Sequence, residues 1–211
     1  MEKVWLKHYP TGVPAEVRTD PYPTLPSLLE QAFRRHGAAA AYKFMGRSFS
    51  FAEIDAQSRA LAAYLQGLGL ARGDRVAVML PNVPQYPVAV AAILRAGYVV
   101  VNVNPLYTAR ELEHQLKDSG ARAIVLLESC AATLQQVADA VSIKHVIVAS
   151  MGDMLGSLKG ALVNRRARRK LPLRPFELPD AQRFNDALAQ GRQRAYSAPP
   201  IGPDDIAALQ Y

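Results

Sequence analysis

The sequence predicts an α/β fold in which a mostly parallel sheet is covered by helices on both faces. Three observations predict it. From residue 75 onward, short apolar runs alternate with longer segments of helical period. The four runs, RVAVML (75–80), YVVVNV (98–103), ARAIVLL (121–127) and KHVIVAS (144–150), are continuous rather than alternating. Each strand is therefore buried on both faces, as a parallel sheet between two layers of helices requires. Half of the 211 residues are hydrophobic, enough to fill such a core. Each crossover is expected to be right-handed.

In chain order, residues 1–24 carry Pro10, Pro14, Pro21 and Pro23 without periodicity and read as an extended arm. Residues 25–150 form the α/β unit. It opens with a helix over LPSLLEQAFRRHG, capped by Thr24 or Ser27, with Leu28, Leu29, Ala32 and Phe33 on one face and Gly37 closing it. AAYKFMGRSFSF reads as a hairpin around Met45, Gly46 and Arg47. Ser50 and Glu53 form a capping box for a second helix, whose buried stripe is Ile54, Ser58, Leu61, Ala62 and Leu65. Between the strands lie the helical segments PQYPVAVAAILRAG, TARELEHQLKDSG and CAATLQQVADAV. Residues 151–176 are a basic insert, and 177–211 a connector and a last strand, with a short helix over 181–189 capped by Asp180.

Several chemistries are excluded by pattern. His8, His36, His114 and His145 have no metal-ligand spacing, and the single cysteine, Cys130, reads as a packing residue of a reducing compartment. GLGLARG imitates a dinucleotide fingerprint but ends a helix and enters a strand, the reverse of what a phosphate-cradling loop requires. Acidic neighbours such as Glu111 with Glu113 and Asp204 with Asp205 are ordinary helix-end charges. The net charge of +7 equals the seven cations between residues 154 and 176, a stretch without an acid. That concentration, without interleaved aromatics, argues against nucleic acid as a partner. No apolar run is long enough to span a bilayer and the start lacks the form of a signal peptide, so a cytoplasmic location is expected.

Residues 47–127 resemble the amino-terminal part of the adenylate-forming enzymes, which include the acyl-CoA synthetases. SFSFAEI (48–54) is similar to the family's first motif, usually L-T-Y-x-E-L, and LRAGYVVVNVNP (94–105) to its second, usually L-K-A-G-A-x-x-V-P-x-D-P, with GDRVA (73–77) between them. NVNPLYT (102–108) and the proline-rich arm most resemble the bacterial long-chain fatty acid CoA ligases. The resemblance implies formation of an acyl-adenylate from a long-chain fatty acid and ATP with magnesium, then transfer of the acyl group to CoA. It also implies that DDIAALQY (204–211) leads into Y-T-G-G-T-T-G-x-x-K-G, the loop that holds the ATP phosphates, with Tyr211 as its first residue. The remaining adenylation machinery is expected downstream, so residues 1–211 hold no catalytic residue or metal ligand and are expected to be inactive alone. The other reading is a non-catalytic module that binds lipid or a partner chain. A homodimer through the arm or an unpaired sheet edge is a further possibility.

Within the insert, an Asp153 cap would align Met154, Leu155, Leu158, Ala161 and Leu162 as an apolar stripe. Lys159, Arg165, Arg166, Arg168, Arg169 and Lys170 lie beside and after it. That is the pattern of a helix at an anionic membrane surface, here the inner face of the cytoplasmic membrane. The alternative is a helix packed on the sheet with its arginines solvated.

Overall fold

The computed structural model describes residues 3–16, 22–170 and 174–211. Val4–His8 forms one 3-10 turn, so the arm is not extended throughout; the part of the arm at 17–21 lies outside the described residues. Helix α1 (Leu25–His36) starts at Thr24, whose hydroxyl accepts from Ser27 N–H while Ser27 returns a bond to the Thr24 backbone. Gly37 follows in right-handed geometry, and of the expected apolar face only Phe33 is fully buried. Strands β1 (Ala40–Phe44) and β2 (Arg47–Ser50) pair antiparallel across Met45 (φ 46°) and Gly46 (φ 73°). Two positive φ values in a two-residue loop match the right-handed twist of the hairpin, and glycine takes one of them without steric cost. The capping box between Ser50 and Glu53 opens α2 (Phe51–Gln66), which buries Ile54, Ser58, Leu61, Ala62 and Leu65 as its spacing predicts.

The α/β repeat then runs β3 (Arg75–Met79), α3 (Gln85–Arg95), β4 (Val99–Asn102), α4 (Ala109–Ser119), β5 (Ala123–Leu127), α5 (Ala131–Gln135) and β6 (His145–Ala149). After it come α6 (Ser157–Lys170), β7 (Gln182–Arg183), α7 (Phe184–Arg192) and β8 (Ala208–Leu209). The main sheet has the order β7-β6-β5-β3-β4-β8, and every neighbouring pair is parallel. Alternate residues of one strand enter different cores. Val76 and Val78 pack with Leu61, Ile93 and Phe184, whereas Ala77 and Met79 pack with Leu112, Leu116 and Leu134. Burial on both faces is what continuous apolar strands require.

Three expectations are corrected. The helix over 130–141 is only α5 followed by a separate 3-10 turn at Ala138–Ala140. After the buried Cys130, its buried residues Ala131, Leu134 and Val137 recur every three positions, the period of the tighter helix. The sheet gains β7, which the sequence does not announce, and pairing of Gln182 and Arg183 with β6 delays α7 to Phe184. Asp180 is therefore not its cap; Arg183 occupies that position without a side-chain bond. In the insert, Met154 and Leu155 are buried before α6 begins, while Leu158 and Leu162 face outward. The Asp153 carboxylate accepts from Ser150 N–H at 2.6 Å instead of capping that helix.

Helices α1, α2 and α3 are joined by the buried Arg95 guanidinium, which reaches Glu30 Oε1 at 2.5 Å, Asp55 Oδ1 at 2.9 Å and Ser58 Oγ at 2.8 Å, above the Phe33 ring. Helix α7 lies against α2 through Gly191, where a Cβ would stand 1.8 Å from the Ala60 carbonyl oxygen. Gly191→Ala is expected to lower unfolding free energy by about 1–3 kcal/mol, because the backbones must separate. Gly37→Ala, whose Cβ meets nothing nearer than 3.5 Å, is expected to be neutral or slightly stabilising. Urea unfolding of the two variants provides the comparison.

Candidate functional site

In a parallel sheet all carboxyl ends open on one edge. The chain leaves β3 toward β4 on one side and leaves β5 toward β6 on the other, so the connections part between β3 and β5. Such a parting is where doubly wound sheets form a crevice. Asn102 ends β4 with Val103 and Asn104 after it, Glu128 follows β5, Ser150 follows β6, and Gln210 with Tyr211 follow β8, all on this edge.

Strand β8 owes its place to the register Val100 with Ala208 and Val101 with Leu209. Its entry is held by Asp205, which accepts from Arg72 at 2.5 Å and from Gly202 N–H at 2.8 Å; these bonds pull the carboxyl below its usual range. Its exit is held by Asn102. Tyr86 Oη donates to Asn102 Oδ1 at 2.9 Å, which turns Asn102 Nδ2 toward Gln210 Oε1 at 3.3 Å. Gln115 Nε2 donates to the Asn102 carbonyl at 2.7 Å. Tyr211 is half exposed, and its hydroxyl donates to Asp118 Oδ2 at 2.6 Å, which raises the phenol pKa.

Toward β5 and β6 a second polar group forms. Ser150 Oγ donates to Glu128 Oε2 at 3.0 Å, and Gln85 Nε2 donates to the Ser150 carbonyl at 2.8 Å. Glu128 is 7% exposed in its side chain and is balanced by Arg168 of α6 at 2.8 Å, with Arg183 at 3.9 Å. The bond to Glu128 raises the Arg168 pKa further. Sequence patterns missed the Asn102 and Glu128 networks. The available signal was a polar residue directly ending an all-apolar strand.

The six basic positions of the insert do not form one patch. Lys159 Nζ donates to the Met45 carbonyl at 2.6 Å, and Arg168 turns inward to Glu128. Arg165, Arg166, Arg169 and Lys170 are exposed. Nor does Tyr211 join them, since its partner is Asp118 on α4. A groove of about 520 Å³ opens at the opposite, amino edge of the sheet, where Tyr22, Leu25, Leu28, Gly97, Tyr98 and Ile206 make it mainly apolar. Among the described residues no three His, Cys, Asp or Glu side chains come together to hold a metal. Among the same residues no helix is long and apolar enough to cross a membrane.

Residues 29–211 match the model of the AMP-binding enzyme family. Over 215 aligned residues the whole chain is 50% identical to a long-chain-fatty-acid--CoA ligase of Escherichia coli O157:H7. It is 34% identical over 211 residues to the ligase of the same name from Bacillus subtilis strain 168, again along its whole length. In both cases it spans 38% of the relative. A solved long-chain-fatty-acid-CoA ligase from Archaeoglobus fulgidus superposes on 96% of this chain and 36% of its own, with a TM-score of 0.69 at 20% identity. An anthranilate CoA ligase in complex with anthranoyl-AMP superposes on 87% of this chain and 31% of its own, also at 0.69, with 17% identity. At these identities the structures establish a shared fold.

Asp153 generates a test of the site's electrostatics. Burial raises its pKa above the ordinary 3.8, outweighing the bond from Ser150 N–H. An acid with a raised folded-state pKa binds its proton more tightly when folded, so stability is lost as pH rises through that folded value. Asp153→Asn keeps an acceptor for Ser150 and removes the charge. Relative to the native chain it is expected to be equally stable at acid pH, where the native carboxyl is protonated, and more stable at neutral pH. Paired urea unfolding curves across that range measure the difference.

Proposed function

The chain belongs to the AMP-binding enzyme family, and on that premise we propose that its 211 residues are the amino-terminal part of a bacterial long-chain fatty acid CoA ligase. The observation that carries this is 50% identity along the entire chain to a protein of that name. The parent enzyme would join a long-chain fatty acid to ATP as an acyl-adenylate, releasing pyrophosphate, and then pass the acyl group to CoA. The part described here would supply scaffold. Its parallel sheet carries β8 to the carboxyl edge, and the Tyr86, Asn102 and Gln210 bonds support the exit toward Tyr211, the proposed first residue of the phosphate loop. Magnesium ligands and the rest of the ATP contacts would come from later residues of the full-length protein.

The protein would work in the cytoplasm, peripherally on the inner face of the cytoplasmic membrane, with the basic insert toward the lipid. A homodimer would form through the arm, where Val4, Trp5, Tyr9 and Val13 are each exposed.

With ATP, magnesium, palmitate and CoA, the 211-residue chain is expected to release no pyrophosphate above background, while the protein extended to the relatives' length forms palmitoyl-CoA, AMP and pyrophosphate. Turnover by the short chain, or an extended protein that accepts only aromatic acids, would refute the assignment. For the dimer, sedimentation at rising concentration should approach twice the monomer mass, and Val4→Ser with Trp5→Ser should return the chain to monomer. An unchanged mass throughout would remove the dimer.

A further inference from the structure

The rotation of α6 about its own axis is set from inside. Gly160 meets Gly152 so closely that a Cβ on Gly160 would lie 2.5 Å from the Gly152 carbonyl oxygen. One turn on, Asn164 Oδ1 accepts from Gly152 N–H at 2.6 Å, and one turn further Arg168 reaches Glu128 at 2.8 Å. Residues 160, 164 and 168 therefore make the inward ridge of the helix. The opposite ridge runs through Leu158, Leu162, Arg165 and Arg169, spaced four, three and four apart, with Arg166 beside it. Leu158 is 88% exposed and Leu162 67%. A helix free to turn would bury these leucines. The glycine contact prevents that.

From this orientation we infer that the outer face of α6 docks on an anionic lipid bilayer, with Leu158 and Leu162 entering the acyl boundary and Arg165, Arg166 and Arg169 held by the headgroups. Nucleic acid would answer the cations but leave the leucines in water, whereas an anionic bilayer answers both. No acid lies between residues 154 and 176 to balance the face. Arg168, although part of the same basic run and 48% exposed in its side chain, starts from the inner ridge and is tied to Glu128, which makes it an anchor for the helix. The placement also has a direction. Glu128 and Gly152 follow β5 and β6, so α6 lies at the carboxyl edge, the edge to which β8 leads. The inference deepens the membrane-peripheral reading above, and its test is independent of ligase turnover.

The experiment is co-sedimentation of the 211-residue chain with vesicles of phosphatidylglycerol and phosphatidylcholine, and with phosphatidylcholine alone. Binding is expected only to the mixed vesicles. Combined Arg165→Gln, Arg166→Gln and Arg169→Gln should weaken partitioning about a hundredfold. Combined Leu158→Ser and Leu162→Ser should weaken it about tenfold or more with charge unchanged. Arg168→Gln should lower the melting temperature but leave partitioning within about twofold, because that charge is already answered by Glu128. Circular dichroism establishes that each variant is folded. Partitioning that survives the arginine changes, is indifferent to the leucines, or falls with Arg168→Gln as far as with the outer arginines would overturn the inference. So would displacement from vesicles by an equimolar single-stranded oligonucleotide. Loss of ligase activity in the extended protein with vesicle binding intact would count only against the enzymatic reading.

Discussion

A parallel strand turns alternate side chains to the two faces of its sheet, and neither face can be left to water when both are apolar. In β3 this sends Val76 and Val78 into one core and Ala77 and Met79 into the other. The same division recurs in β5, where Val125 and Leu127 join the first core and Ile124 and Leu126 the second. Two layers of helices are then obligatory, and the chain must cross the sheet between strands that point the same way. The shared direction collects every strand's carboxyl end at one edge. A functional edge is thus a consequence of how the core is covered.

At that edge the apolar strands give way to polar side chains that bind each other before anything else. Asn102 links α3, α4 and β8 through Tyr86, Gln115 and Gln210, while Glu128 links β5, Ser150 and α6. Orientation of the Asn102 amide illustrates how this works. A donor on its oxygen leaves only its nitrogen for Gln210, so one hydroxyl determines which way the neighbouring strand end is held. The two glutamines beside these networks each have a buried oxygen without a hydrogen-bond partner among the described residues, Gln85 Oε1 and Gln115 Oε1. Their amide nitrogens are used at 2.8 and 2.7 Å to hold strand-end carbonyls.

The basic insert shows how packing redistributes a run of like residues. Six cations close in sequence end with different tasks: Lys159 reaches the hairpin turn, Arg168 neutralises a buried carboxylate while staying half exposed, and Arg165, Arg166, Arg169 and Lys170 point into solvent. The cost of burying Glu128 without a counter-charge gives the Arg168 contact its weight, whereas the exposed arginines make no comparable demand on the fold.

The amino-acid sequence by itself determined the central strands, the capping box at Ser50, and the buried stripe of α2, because these rest on neighbours within one element and on the periods of helix and strand. The family motifs were likewise local strings, readable without a fold. Only the tertiary structure decided that Gln182 and Arg183 pair as a strand, that α5 stops at Gln135 ahead of a separate 3-10 turn, and that Leu158 and Leu162 face outward. Each depends on a surface supplied from elsewhere: the free edge of β6, the sheet beneath Ala131, Leu134 and Val137, and the backbone of Gly152 against Gly160. A helix's period states which residues share a face; the contact that claims one face is made by residues distant in the chain, and no local pattern contains it.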